Sequence, residues 1–262
     1  MSLFRRAAFA AAFLVAGLGA ASAEWTEVRL GTEGAYPPFN NLNAKGELEG
    51  FEIEFGNLLC EKAKLKCTWV TQDWDGIIPA LLSKRYDLIM AGMNATEKRR
   101  EQIDFGMVYT KIPITMMAPK TVTSKDISPE ALAGKAIGVQ GSTIHANYAE
   151  KYFPNSTIRA YPTQEEANLD LANGRLDYVM ADNEALLGFI NKGAEGACCH
   201  IVAEVPRDPV IHGPGVALGF RKEDQDLKAI FDKAMMEAFA DGSFKKINDK
   251  YFSYDTCAGC GS

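Results

Sequence analysis

Segments patterned as strands and helices alternate from end to end of this 262-residue chain, and that alternation narrows the fold more than any other feature. VRLGT (28–32), CTWVT (67–71), YDLIMA (86–91), AIGVQ (136–140), STIRAY (156–161), YVMAD (178–182) and VALGF (216–220) read as strands. FEIEFGNLLCEKA (51–63) carries Phe51, Phe55, Leu58 and Leu59 along one helical side, with Lys62 at its rim. GIIPALLSK (76–84), STIHANYAEKY (142–152), QEEANLDLANG (164–174), Asp224 to about Asp241, and SFKKINDKYF (243–252) also read as helices. SPEALAG (128–134) offers a further one, with a serine cap, proline at N1 and a glycine stop. YTKIPITMMA (109–118) leads into a polar loop that ends at Lys125. Repeated strand–helix–strand units imply an α/β fold with mostly parallel sheets. LSKRYDLIMA (82–91) is echoed by LANGRLDYVMAD (171–182): a helix ends, a basic residue and an aspartate follow, and a buried strand closes on Met-Ala. The echo suggests two lobes, each with its own sheet. Ligands of open α/β sheets sit beyond the carboxyl ends of strands, so the loops Gly92–Thr96 and Asp182–Glu184 are expected to face one cleft.

The first 23 residues read as a secretory leader. Arg5 and Arg6 form a basic start, Ala7 to Ala20 an apolar stretch, and Ala21-Ser22-Ala23 a cleavage site. The mature chain is expected to begin at Glu24 and to be exported to the periplasm; no later stretch is long and apolar enough for a membrane span. A formal net charge of −6 argues against nucleic acid as the main partner. All six cysteines (Cys60, Cys67, Cys198, Cys199, Cys257 and Cys260) follow the leader, and in an oxidising compartment they are expected to form disulfides. Cys60 and Cys67 flank a short helix-to-strand break that a bridge can close. Cys198-Cys199-His200 and Cys257-Ala-Gly-Cys260 resemble zinc ligands in type, but nothing around them suggests a metal centre, and no metal or cofactor is expected. Adjacent cysteines rarely bridge each other, so Cys198 and Cys199 are each expected to take a partner from the tail, the pairing being open.

AGMNATEKRREQIDF (91–105) poses the chemical question. Thr96 before Glu97 reads as a helix cap, yet Lys98, Arg99 and Arg100 crowd a first turn that the helix dipole already makes positive. Bare amides in the small loop before it and an extra arginine suit an anion. In GTEGAYPPFN (31–40), Glu33 follows a strand directly, in a stiff loop with Tyr36 and Phe39. DWDGIIPALL (73–82) puts Trp74 just ahead of a helix that has its own apolar face, which leaves the indole as either core or a flat cleft wall. No nucleophile elbow, P-loop, G-x-G-x-x-G or H-E-x-x-H motif occurs, and His145, His200 and His212 are scattered.

Taken in order, GTEGAYPPF, GELEGFEIEF, DWDGIIPALLSKRYDLIMAGM, TEKRREQIDF, GKAIGVQGST, GRLDYVMAD and DGSFKKINDKYF resemble the periplasmic amino-acid-binding proteins of ABC importers. The nearest likeness is to the branch that binds lysine, arginine, ornithine and histidine, with the opine-binding proteins beside it. The resemblance spans essentially the whole chain after the leader. It implies the two-lobed periplasmic binding protein fold (type II), with the ligand between lobes joined by two crossing segments. Lobe one would be 24–111 with 216–262, and lobe two 112–215. It also implies a monomeric receptor that delivers an amino acid to a membrane permease.

The same resemblance assigns roles. Arg99 would clamp the ligand α-carboxylate, helped by amides of Gly92, Met93 and Asn94 and of Thr143 and Ile144. Asp182 would take the α-ammonium and Glu33 a distal cation. Trp74 would stack on that cation or its stem, Tyr36 would form the opposite wall, and Ala91 and Gln140 would complete the lining. One arginine set against two carboxylates describes a ligand with one carboxylate and two cationic ends, as in arginine, ornithine or lysine. The family often carries serines where this chain has Ala91, Gly92 and Asn94, which enlarges the cleft toward an opine such as octopine or nopaline. An opine adds carboxylates, and the matched positions hold no spare cation for them. The fold also hosts cyclohexadienyl dehydratases, but Glu33 should repel so anionic a substrate, and a non-enzymatic receptor is expected.

Overall fold

The computed structural model describes residues 25–260; the leader expected over the first 23 lies outside them. Two five-stranded sheets carry the fold. The first runs in the order Lys66–Thr71, Glu27–Thr32, Leu88–Ile89, Val216–Phe220, Asp104–Thr110. The second runs Thr157–Tyr161, Ala136–Gln140, Tyr178–Asp182, Ile114–Pro119, Cys199–Glu204. In each, one strand is reversed: Val216–Phe220 pairs antiparallel with both neighbours, and so does Ile114–Pro119. Each is the first strand the chain forms on arriving from the other sheet. The echoed segments occupy equivalent places, Leu88–Ile89 and Tyr178–Asp182 lying next to the reversed strand of their own sheet.

Neighbouring residues of one strand feed different apolar clusters. Leu88 and Leu218 face the cluster of Phe51, Phe55 and Phe231, while Ile89 and Ala217 face that of Ile77, Leu81 and Ile103. Met116 and Met117 divide the second sheet in the same way. Burial on both faces explains why these strands read as continuous apolar runs. The helix Phe51–Ala63 buries Phe51, Phe55 and Leu59, with Phe244 edge-on to both rings. Its Lys62 rim residue pairs with Asp241. The turn into this helix needs Gly50: at φ 122°, a β-carbon there would sit 2.4 Å from the Phe39 carbonyl oxygen.

The structure departs from the sequence pattern in several places. SPEALAG forms a single turn, with Ser128 accepting from Leu132 N and Ala131 N, because so short a segment gains too few bonds to offset helix nucleation. YTKIPITMMA is split at Ile112–Pro113, where the chain crosses between sheets. Asp182–Glu184, expected as a loop, is the end of a strand and the start of the helix Asn183–Ile190. Cys60 bridges Cys67 as expected, but Cys198 bridges Cys199 and Cys257 bridges Cys260, so the expected pairing with the tail is wrong. Cys199 packs on Leu186 and Phe189 beside the second sheet, and Cys257 lies in the first sheet's core, which keeps the pairs apart.

Candidate functional site

Parallel strands deliver chain turns to one edge of each sheet, and the polar residues singled out above sit on those turns. Glu33 follows Glu27–Thr32, Trp74 follows Lys66–Thr71, and Ala91 to Asn94 follow Leu88–Ile89. From the other lobe, Gln140 and Asp182 end their strands, and Thr143 caps the helix Ile144–Tyr152. Together with Tyr36, Arg99 and Ile144 they line one narrow cavity between the two sheets. Met93 is the exception: it is buried in the core with Ile77 and Leu81. The sequence reading missed His145, which lines the same cavity. A signal was present, since it lies two residues after the Thr143 cap, at the helix end expected to face the ligand.

The charges in this cavity are poorly paired. Arg99 sits in the one-turn helix Glu97–Arg100, whose Thr96 cap accepts from Arg99 N at 3.3 Å. Arg100 reaches Glu97 and Asp104, whereas among the described residues the Arg99 guanidinium donates only to carbonyls, Asn94 O at 3.0 Å and Ser142 O at 3.4 Å. Burial without a compensating acid pushes its pKa down to about 10. Glu33 shows the opposite frustration. Burial, with added repulsion from Asp73, Asp75 and Glu52, raises its carboxyl to about 7 despite a 2.5 Å bond from the Gln140 amide. Asp182 is 6% exposed and caps Asn183–Ile190 without spending its side chain on the helix. Its Oδ2 accepts from the Tyr36 hydroxyl at 2.9 Å, and its Oδ1 lies 3.4 Å from His145 Nε2.

Two expected roles change in detail. The Gly92 N–H is committed to Glu52 Oε1 at 2.7 Å, so it is withdrawn from any anion in the cavity. Glu52 is fully buried behind this loop and also accepts from Tyr109 and from Asn40 Nδ2, holding the loop in place. Trp74 lends one face to Arg99, 5.1 Å from ring centre to guanidinium carbon, and its Nε1 donates to Ser142 O at 3.2 Å. At the facing helix, Thr143 Oγ1 accepts from Ala146 N and donates to Gln140 O. The first-turn amides of Ile144 and His145 have no acceptor inside their helix, which leaves a positive end at the cavity.

Known proteins resemble this chain along most of its length. An L-arginine-binding protein of Pseudomonas aeruginosa is 38% identical over 231 residues, 87% of this chain and 88% of that protein. The lysine/arginine/ornithine-binding periplasmic protein of Escherichia coli is 35% identical over 252 residues, 92% of this chain and 95% of that one. The solved structure of a periplasmic His/Glu/Gln/Arg/opine family-binding protein from Silicibacter pomeroyi, in complex with lysine, matches with a TM-score of 0.77 at 37% identity. That match covers 87% of this chain and 98% of that one. The family model of the bacterial extracellular solute-binding proteins, family 3, matches residues 28–254, and the chain belongs to that family.

Proposed function

We propose that this protein is a periplasmic receptor that closes two lobes over a cationic amino acid of the arginine, ornithine or lysine class and delivers it to an ABC permease of the inner membrane. One observation carries the reading: among the described residues, the cavity holds a guanidinium with no acid paired to it and, facing it, carboxylates with no lysine or arginine to neutralise them. A ligand with one carboxylate and two cationic ends supplies all the missing partners at once. Arg99 and the Ile144 helix end receive the α-carboxylate, Asp182 the α-ammonium, and Glu33 the distal cation. Lobe one comprises 24–111 and 216–262, lobe two 112–215, and closure is a hinge motion about the crossing segments. The receptor acts as a monomer and makes or breaks no bond. An opine would need a further cation for its added carboxylate, and a dehydratase substrate would set a second anion against Glu33.

Calorimetric titration of protein that has been unfolded, dialysed and refolded tests this. The panel is arginine, ornithine, lysine, histidine, octopine, nopaline, glutamine, glutamate and prephenate. Tight binding restricted to amino acids with a distal cation is expected. Preference for an opine would move the ligand, and turnover of prephenate would overturn the receptor reading.

A further inference from the structure

The expected role of Asn94 is to lend its amide to the ligand carboxylate, but its other groups reach elsewhere. It lines the ligand cavity and also a second cavity, between the two segments (111–113 and 205–215) that cross from sheet to sheet. Its side-chain Nδ2 donates at 3.1 Å to His212 O, a carbonyl at the end of the one-turn helix Pro209–His212 in the returning segment. Its backbone pairs with Val216 in an antiparallel bridge, flanked by bonds from Ala217 N to Met93 O at 3.0 Å and from Ala95 N to Gly215 O at 2.9 Å. In such a pair the amide and carbonyl of the middle residue turn away from the partner strand. The Asn94 carbonyl accordingly meets the Arg99 guanidinium at 3.0 Å, and its N–H opens on the same side with no acceptor among the described residues.

We infer that Asn94 is the positioning residue that makes lobe closure answer to the ligand's α-carboxylate: its N–H receives the carboxylate, its carbonyl holds Arg99, and its side chain fixes the returning segment. This rests on the assignment of the carboxylate to Arg99 and the amides beside it. A shared peptide sets the direction. The Met93–Asn94 peptide turns its N–H to the carboxylate and its carbonyl to Ala217 N, and an anion at the N–H end makes the carbonyl a stronger acceptor. Ligand in the cavity therefore tightens the junction at which the returning segment joins the first sheet. Close packing leaves that junction little slack. A β-carbon on Gly213, at φ 63°, would lie 3.0 Å from Ala95 O, and one on Gly215, at φ 144°, 2.7 Å from Thr110 O, where the outgoing segment begins. The returning segment is thus pressed between the loop that precedes Arg99 and the outgoing segment, and Arg207 Nη2 adds a bond to Gly213 O at 2.6 Å. A displacement of Asn94 is passed directly to both crossing segments.

Three measurements on the full chain test this role. Asn94→Ala keeps the backbone bonds and removes the one to His212. Calorimetry should show its affinity for arginine, ornithine, lysine and histidine lowered by one common factor of about fivefold, because the carboxylate is common to all four. Stopped-flow fluorescence should place that loss in faster release, with capture unchanged, since the bond acts on the closed form. A fault in local packing would lower the unfolding midpoint without dividing the rates in this way. In the wild-type protein, NMR should show the Asn94 side-chain amide protons shifting on arginine binding and exchanging more slowly with solvent. That arm decides the matter even where the variant folds poorly. Unchanged affinity in Asn94→Ala, a loss that varies with the distal group or falls on capture, or side-chain signals indifferent to arginine would each overturn the role of Asn94 alone. Absence of arginine binding to the wild-type protein would instead remove the ligand assignment, and this role with it.

Discussion

The guanidinium carbon of Arg99 lies over the indole ring of Trp74, and both side chains donate to the same acceptor, the carbonyl of Ser142 on the opposite lobe, at 3.4 and 3.2 Å. Ser142 holds that carbonyl in place from a left-handed backbone conformation, φ 56°, which a serine adopts only at some cost. The Gln140–Glu33 and Tyr36–Asp182 bonds add further ties across the cleft, at the distal end and at the α-ammonium position of the proposed ligand.

Trp74→Phe keeps an aromatic face and removes only the N–H. It should weaken every ligand alike by about 1 kcal/mol, roughly fivefold, through loss of the tie to Ser142. Calorimetry with arginine and with the most weakly bound neutral amino acid checks this; a loss confined to arginine would mean that the indole acts on the distal cation instead.

Arg99→Ala should abolish binding of all amino acids within the measurable range, a loss of about 3 kcal/mol or more. Arg99→Lys keeps the charge but not the planar fork, and should recover only part of that loss. Equal affinity of the lysine variant and wild type would show that charge alone suffices.

Glu33 titrates near 7 in the folded protein against 4.5 for an unperturbed glutamate, burial being the main cause. The empty folded state therefore binds more protons than the unfolded chain between these values, and stability falls as pH rises through that window. Glu33→Gln should melt several degrees above wild type at about pH 8, and the gap should close toward about pH 5. Arginine binding moves oppositely, since a distal cation favours the carboxylate: wild-type affinity should drop below about pH 7, and Glu33→Gln should lose selectivity for distal cations.

Glu52 is fully buried among three donors, the Gly92 amide, the Tyr109 hydroxyl and the Asn40 side-chain amide. Glu52→Gln turns an NH₂ group toward one of them and should cost about 1–3 kcal/mol in urea unfolding. Ligand affinity should fall as well, because the loop from Ala91 to Asn94 loses its anchor. A variant with unchanged unfolding midpoint would refute this role.

What could be read from the sequence was local or periodic. The apolar runs at Tyr86–Ala91 and Tyr178–Asp182, the Thr96 and Thr143 caps, and the helical side of Phe51, Phe55 and Leu59 follow from short-range sterics and burial patterns. They already implied two α/β lobes with polar turns at their strand ends. The resemblance then named Arg99, Glu33 and Asp182, and the structure brings these together in one cavity. Other features depended on distant chain meeting chain. The separation of the Cys198–Cys199 pair from the Cys257–Cys260 pair, the withdrawal of the Gly92 amide by Glu52, and the burial of Met93 each depend on how distant segments are placed. His145 was the plainest omission: its place just after the Thr143 cap pointed to the cavity, but only the fold brings Asp182 to within 3.4 Å of it. Local sequence determined which groups stand at the strand ends, because backbone sterics and side-chain periodicity act over a few residues. Which of those groups remain unpaired, and so open to a ligand, was decided only by the tertiary structure, because desolvation and charge pairing depend on everything within a few ångströms whatever its place in the chain.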